Sequence, residues 1–399
     1  MPMPRIPHPN LMGLPPILRA GFRPFFLGGA VWALVVVVLW VCSLSGALTL
    51  PTGFEPLAWH RHEMLFGYLG AVIAGFLMTA IPNWTGRLPL AGAPLAGLAG
   101  LWLAARLAVL FSSATGPLIA AILDAGFLVV LVAVCAREVF AAKNRNVPIV
   151  LVVLLFAIAN AVDHAQAIGA AVPDGIGWRG GFSLVLILIS LIGGRIIPSF
   201  TRNWLVKQKR MSALPGQPGI YDKATIAITA LALLAWTIVP NTVWTGALLV
   251  IAGVAQLVRL ARWQGIRTAS DPLVFILHVG YVWLPIGLLL LGASHFTTTI
   301  LPTMGLHALA AGAMATMTLA VMTRATLGHT GRELRADGWT TAIYVLVTLG
   351  ALLRVAAPVI PFDYMHLIEC AGALWGAAFL LFVGVYGPKL LGPRPDGRP

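Results

Sequence analysis

The chain is 399 residues long, 59% hydrophobic and only 10% charged, a balance that excludes a water-soluble globular protein of this length. Lys and Arg number 26 against 13 Asp and Glu, a formal net charge of +13. Three widely spaced cysteines, Cys42, Cys135 and Cys370, form no CxxC pair, which excludes a thiolate zinc cage and a covalently attached c-type haem; they read as small packing residues.

Met1 to Gly21 is rich in Pro and lacks the apolar stretch of a cleavable signal, so it reads as an N-terminal tail (about 1–21), with the first span acting as its own insertion signal. Apolar runs then recur at about 22–44, 59–81, 94–111, 117–140, 148–170, 178–198, 222–240, 243–263, 272–292, 300–325, 338–356 and 362–387. Connectors carry Pro and Gly, among them Pro51, Pro56, Pro82, Gly116-Pro117, Pro173, Pro215, Pro240 and Pro361. The expected fold is an all-α membrane protein of about twelve transmembrane helices, a single polytopic domain over 1–399. A cytoplasmic loop is expected at about 199–221 and a C-terminal tail at about 388–399.

The basic residues alternate along this series. Arg5, Arg19 and Arg23 precede span 1, Arg87 follows span 2, and further clusters fall at the 4–5, 6–7, 8–9 and 10–11 connections and after span 12, where Arg398 lies. In all, 22 of the 26 fall on one side. The positive-inside rule makes that side cytoplasmic, with both termini inside. The charge is therefore a topology signal with some contact to anionic lipid, and nucleic acid is not an expected partner. The four exceptions, Arg61, Arg106, Arg179 and Arg354, sit near the opposite helix ends, as do Glu63, Asp124, Asp163, Asp363 and Glu369. Either these charges pair or snorkel, or one or two arginines hold the carboxylates of a cofactor.

Three spans end alike. Span 2 closes on Met78-Thr-Ala-Ile-Pro-Asn-Trp-Thr-Gly-Arg87, span 6 on Gly194-Arg-Ile-Ile-Pro-Ser-Phe-Thr-Arg-Asn203, and span 10 on Met322-Thr-Arg-Ala-Thr-Leu-Gly-His-Thr-Gly-Arg332. Recurrence every four spans suggests three four-helix units, although Arg suits any helix C-terminus at that boundary.

Six of the nine histidines lie in or at the edge of spans: His60 with His62, His164, His278, His307 and, opening the last span, His366, with His329 following span 10. An imidazole in hydrocarbon is costly unless paired or bound to metal. Depth sorts them into an outer group (His60, His62, His164, His307, His366) and an inner one (His278, His329). His60 and His62, two residues apart, point about 200° apart on a regular helix and cannot share a metal there. Glu63 is placed to orient an imidazole. Met304, His307, Ala311, Met314, Thr318 and Met322 form one expected stripe of span 10, more readily core than ligand. The simplest metal reading is a bis-histidine b-type haem held by His60 or His62 and by His307, with copper on remaining imidazoles such as His164, and His278 with His329 as a second metal site. Arg61 and Arg106 are cofactor-binding candidates.

Taken together, Gly21-Phe-Arg-Pro-Phe-Phe26, Trp59-His-Arg-His-Glu-Met-Leu-Phe-Gly67, Gly75-Phe-Leu-Met-Thr-Ala-Ile-Pro-Asn-Trp-Thr-Gly86, Gly194 to Asn203 and Thr323 to Arg332 resemble the NnrS family over nearly the whole chain. The resemblance implies a twelve-span bacterial inner-membrane protein containing haem and copper, associated with denitrification and nitrosative stress. Its implied role is to bind or turn over nitric oxide or nitrosyl species. His60, His62, His278, His307 and His329 match the family pattern, His164 less closely, and His366 stands apart. A weaker similarity is to the haem-copper oxidase and nitric oxide reductase architecture, three arcs of four helices with a haem between helices 2 and 10. Span 6, however, has no histidine and span 10 has one, so the copper-B site of that group is absent. Reduction of nitric oxide by a haem-dependent oxidoreductase would need protons, for which Glu63, Asp163 and Asp124 are candidate relays, and an electron donor that the sequence does not identify. A membrane transporter or a metal or haem assembly factor is the alternative. Oligomeric state is not legible.

Overall fold

The computed structural model describes residues 11–397. Arg5 and Arg398, counted above on the basic side, lie outside them. The described residues form helices without a strand, and twelve helices are long and apolar enough to cross a membrane: α1 (Phe22–Leu44), α2 (Pro56–Thr85), α3 (Ala93–Leu110), α4 (Pro117–Ala141), α5 (Val147–Ala167), α6 (Ile176–Lys207), α7 (Ile220–Ile238), α8 (Val243–Ala261), α9 (Pro272–Ala293), α10 (Pro302–His329), α11 (Gly338–Val359) and α12 (Tyr364–Leu391). This is the all-α, twelve-span membrane fold that the apolar runs indicate.

The starts follow local rules. Pro occupies the first turn of α2, α3, α4, α5, α9 and α10, where its missing N–H costs nothing. Glu55, Asp271, Thr242 and Asp337 cap α2, α9, α8 and α11 with side-chain oxygens. The ends depart from the sequence reading. Pro82, expected in a connector, lies inside α2; α6 continues to Lys207, shortening the expected 199–221 loop; and α12 runs through Pro388 to Leu391 rather than stopping before 388. A proline removes one N–H but not the packing around it. At the end of α12 the Arg23 guanidinium also donates to the Leu390 and Gly392 carbonyls, both at 2.8 Å, meeting acceptors that the helix leaves open.

The three helices with similar endings share a second feature. Each is long (30, 32 and 28 residues), and each contains a π-helical segment: Glu63–Tyr68 in α2, Ile189–Gly193 in α6 and Ala308–Met314 in α10. A π segment widens the turn and rotates everything after it, and such segments concentrate at functional sites. The expected single stripe from Met304 to Met322 is broken in this way, because the segment falls between His307 and Met314.

Contacts divide the chain into two units. The first comprises Met1–Gly181, Thr326–Glu333 and Val383–Pro399; the second comprises Phe182–Ala325 and Leu334–Phe382. In the first, α1 packs on α2, α3 on α4 and α4 on α5, around Phe25, Phe26, Trp59, Phe66, Phe127 and Phe156, all buried. In the second, α8 packs closely on α7 and α9, and α9 on the π segment of α10. Glycines set that closeness: a Cβ on Gly292 would lie 2.8 Å from the Gly246 carbonyl oxygen, and one on Gly312 would lie 2.5 Å from the Trp283 indole.

Candidate metal centre in the first unit

The first unit buries a cluster of charged groups in surroundings that are otherwise apolar. Glu55 caps α2 by accepting the Ala58 N–H at 3.0 Å, and Pro56 starts the helix, whose first turns bury Trp59, His62 and Glu63. From α5, Asn160, Asp163 and His164 stand at i, i+3 and i+4, one helical face. From α4 comes Asp124 and from α3 Arg106. His62, Glu63, Arg106 and Asp124 are 0% exposed, His164 is 2% exposed and the Asp163 side chain 12%.

The contacts are continuous. Arg106 Nη1 donates to both Glu63 oxygens, at 2.8 and 2.7 Å, and its Nη2 to Asp124 Oδ1. Trp32 Nε1 donates to Glu63 Oε2 at 2.5 Å. Asp124 Oδ2 meets His62 Nε2 at 2.8 Å, His164 Nε2 at 2.9 Å and the Asn160 amide at 2.6 Å. His62 Nδ1 is 2.8 Å from Asp163 Oδ2. Phe54 and Phe66 close over the His62 ring, at centroid distances of 5.2 and 5.1 Å.

Two consequences follow from charge and proton counting. Three carboxylates face one guanidinium, so the cluster carries two more negative charges than positive ones before any imidazole is protonated. Buried charge of one sign needs compensation by a proton or a cation. A neutral imidazole also has a single N–H, whereas both His62 nitrogens face carboxylate oxygens. With Nδ1–H on Asp163, a neutral His62 directs its Nε2 lone pair at a focus shared with His164 and Asp124, whose ligand atoms all lie within 4.8 Å of one another. Two imidazoles and one carboxylate suit copper, iron or zinc. With His62 Nδ1–H on Asp163, the arrangement is a carboxylate–histidine pair that fixes the ring and its tautomer for a metal on Nε2. Asn160 Oδ1 and Arg106 Nε are sealed at the same cluster without a hydrogen-bond partner.

The structure thus brings together His62, His164, Asp124, Asp163, Glu63 and Arg106. Among these, Arg106 commits both terminal nitrogens to two acids. The other candidates stand elsewhere. His60 stacks on Trp40, with centroids 4.7 Å apart and planes at 18°, on the face of α2 away from its near neighbour His62. The Arg61 guanidinium covers the Trp178 ring at 4.8 Å. His329 packs on Phe22 at 5.6 Å, and its carbonyl accepts from Arg394. His366 bonds Asp363 at 2.9 Å on an exposed turn.

In the second unit, His278 Nε2 lies 2.8 Å from the Thr201 hydroxyl, and its other edge is so close to the chain that a Cβ on Gly265 would lie 2.5 Å from Nδ1. His307 Nδ1 donates to the Thr303 carbonyl one turn back, at 2.8 Å, so a neutral ring carries its lone pair on Nε2. The same unit holds a second buried network: Arg259 reaches Asp222 at 2.9 Å, Ser190 on the α6 π segment and the Tyr281 hydroxyl at 3.1 Å, and Tyr281 donates to Gln256 at 2.7 Å. Sequence reasoning missed Asn160, Trp32, Gly67 and this network. Asn160 did carry a signal, as a lone carboxamide in the apolar run of span 5.

A protein-family model described as NnrS protein matches residues 16–394. No curated protein matches the chain.

Proposed function

The chain belongs to the NnrS family, and from that premise we propose that it is a multi-pass membrane protein of the nitric oxide response that carries copper and haem. The observation that supports this most directly is the convergence of two imidazoles and a carboxylate, deeply buried and short of positive charge, on one point between α2, α4 and α5. Copper would be held by His62, His164 and Asp124, and haem by His307, whose Nδ1–H is already fixed by Thr303. Bound there, such metals would supply redox-active centres able to take nitric oxide.

The remaining residues act on this centre. Arg106 and Asn160 hold Asp124 in place from two sides, and Trp32 with Arg106 keeps Glu63 from intruding on the ligand focus. Asp163 orients His62 and, as the least buried of the three acids, is the point where a proton enters. Glu63 reaches Asp124 only through Arg106, which does not release a proton, so its role is charge compensation. The positive-inside distribution supports insertion in the inner membrane with both termini cytoplasmic.

The test is purification of the intact protein with metal analysis, pyridine haemochrome and spectra recorded during nitric oxide addition. A coloured protein whose spectrum shifts with nitric oxide, and which loses copper but not haem on His164→Ala, is expected. A colourless, metal-free protein, or one that moves copper across liposomes without a response to nitric oxide, would remove the reading in favour of transport.

A further inference from the structure

A second charged group in the membrane region, Arg354, has no countercharge among the described residues. Arg354 lies near the C-terminal end of α11, half-buried in an apolar helix, with Nη1 sealed from solvent and without an acceptor. The Tyr364 side chain at the start of α12 lies beside it. The acid nearest in sequence, Asp363, is taken by His366, accepting from its N–H and Nδ1 at 2.8 and 2.9 Å. On the facing side, the Pro302–His307 turn of α10 packs on α11, and the His307 ring falls within electrostatic reach of the guanidinium. All of these residues belong to the second unit.

A guanidinium in apolar surroundings carries five N–H donors and a full charge. One phenol satisfies neither. Arginines in spans either reach the interface along their stems or hold an anion, and Nη1 of Arg354 is sealed from water. The planar fork matches two oxygens of a carboxylate or of a similarly shaped inorganic anion, in a way that neither a lysine nor a round anion reproduces. We propose that Arg354, with Tyr364 and beside His307, forms a binding site for a planar oxyanion. The oxyanion is either free in solution, with the geometry of formate or nitrite, or the carboxylate of a cofactor held by His307; only the second source rests on the haem assignment above.

The intact protein in neutral-lipid nanodiscs, at constant ionic strength, distinguishes the sources. Melting followed by tryptophan fluorescence is expected to rise by about 2–4 °C with formate or nitrite and not with chloride or inorganic phosphate, and Arg354→Gln is expected to abolish the rise. Arg354→Lys, which keeps the charge but loses the fork, is expected to lose most of it. If the carboxylate comes from the cofactor, formate leaves the wild-type melt unchanged. Arg354→Gln, and more weakly Arg354→Lys, then retain several-fold less haem by pyridine haemochrome while copper content is unaltered. Stabilisation by phosphate alone, or a wild-type protein indifferent to formate and nitrite whose Arg354→Gln form keeps its full haem, overturns the site. Copper content reads the His62–His164–Asp124 centre separately, so its loss in the wild type sinks that assignment and not this one.

Discussion

Gly67 lies one turn beyond Glu63 in the π segment of α2, and a Cβ on Gly67 would stand 2.5 Å from Glu63 Oε2 and equally close to Arg106 Nη1. The missing side chain is therefore the space in which the buried ion pair forms. Trp102 adds to this, donating to the Gly67 carbonyl at 3.0 Å. Gly67→Ala is expected to force the pair apart and to destabilise the protein by about 1–3 kcal/mol, the usual range for overpacking a tight site. Thermal unfolding in nanodiscs measures it, and an unchanged midpoint would show that the pair shifts without cost.

Arg106 is the single cation among three acids, so its neutralisation should cost more than that of any one acid. Arg106→Gln leaves Glu63 and Asp124 buried without their cationic partner, with an expected loss of about 3–5 kcal/mol. Adding Glu63→Gln should recover part of the loss, because one of the stranded charges is removed. The double-mutant cycle is the measurement, and simple additivity of the two losses would contradict a shared network.

What the sequence made legible divides along depth and direction. Every expected span corresponds to a helix with bounds within a few residues at most ends, because runs of apolar residues closed by Pro, Gly or Arg are local signals. His62, Asp124, Asp163 and His164 also stood out, as ionisable groups in such runs. Their meeting did not, because contact depends on how each helix is rotated about its axis. A π segment changes that rotation while leaving composition the same. Pairing His60 or His62 with His307 rested on depth and on the spans that carry them; that both His62 nitrogens face carboxylates of α4 and α5 had no counterpart in the sequence. Trp32, the indole donor to Glu63, had no mark to separate it from the other 12 tryptophans.

The partners of the proposed copper ligands His62 and Asp124 are open to the same kind of test. Asn160→Leu keeps the approximate volume but removes the amide that donates to Asp124, and Asp163→Asn removes the charge that orients His62. Each is expected to weaken metal binding by about 10–100-fold without removing a ligand. Competition against a chromogenic chelator reads the affinity. Wild-type affinity in Asp163→Asn would mean that His62 does not depend on Asp163 for its orientation.

The network of the second unit is expected to matter for stability and not for metal content. Tyr281→Phe deletes the hydroxyl that donates to Gln256 and accepts from Arg259, leaving a buried carboxamide oxygen without a donor and a guanidinium short of an acceptor. The expected cost is about 1–3 kcal/mol. Copper and haem contents per folded protein should match the wild type. Loss of either in Tyr281→Phe, at an unaltered melting point, would assign the network to a cofactor instead.

Orientation is open to a direct test, since the loop joining α6 to α7 carries basic flanks (Lys207, Lys209, Arg210 and Lys223) and the α9–α10 connection carries none. The bias places the first inside and the second outside. Gly216 and Thr298 are exposed in these two connections. In a background lacking the three native cysteines, Thr298→Cys is expected to react with a membrane-impermeant maleimide in spheroplasts, and Gly216→Cys only after lysis. The reverse pattern would invert the topology, turning the Asp163 end of the first unit toward the cytoplasm and requiring protons to reach His62 from that side.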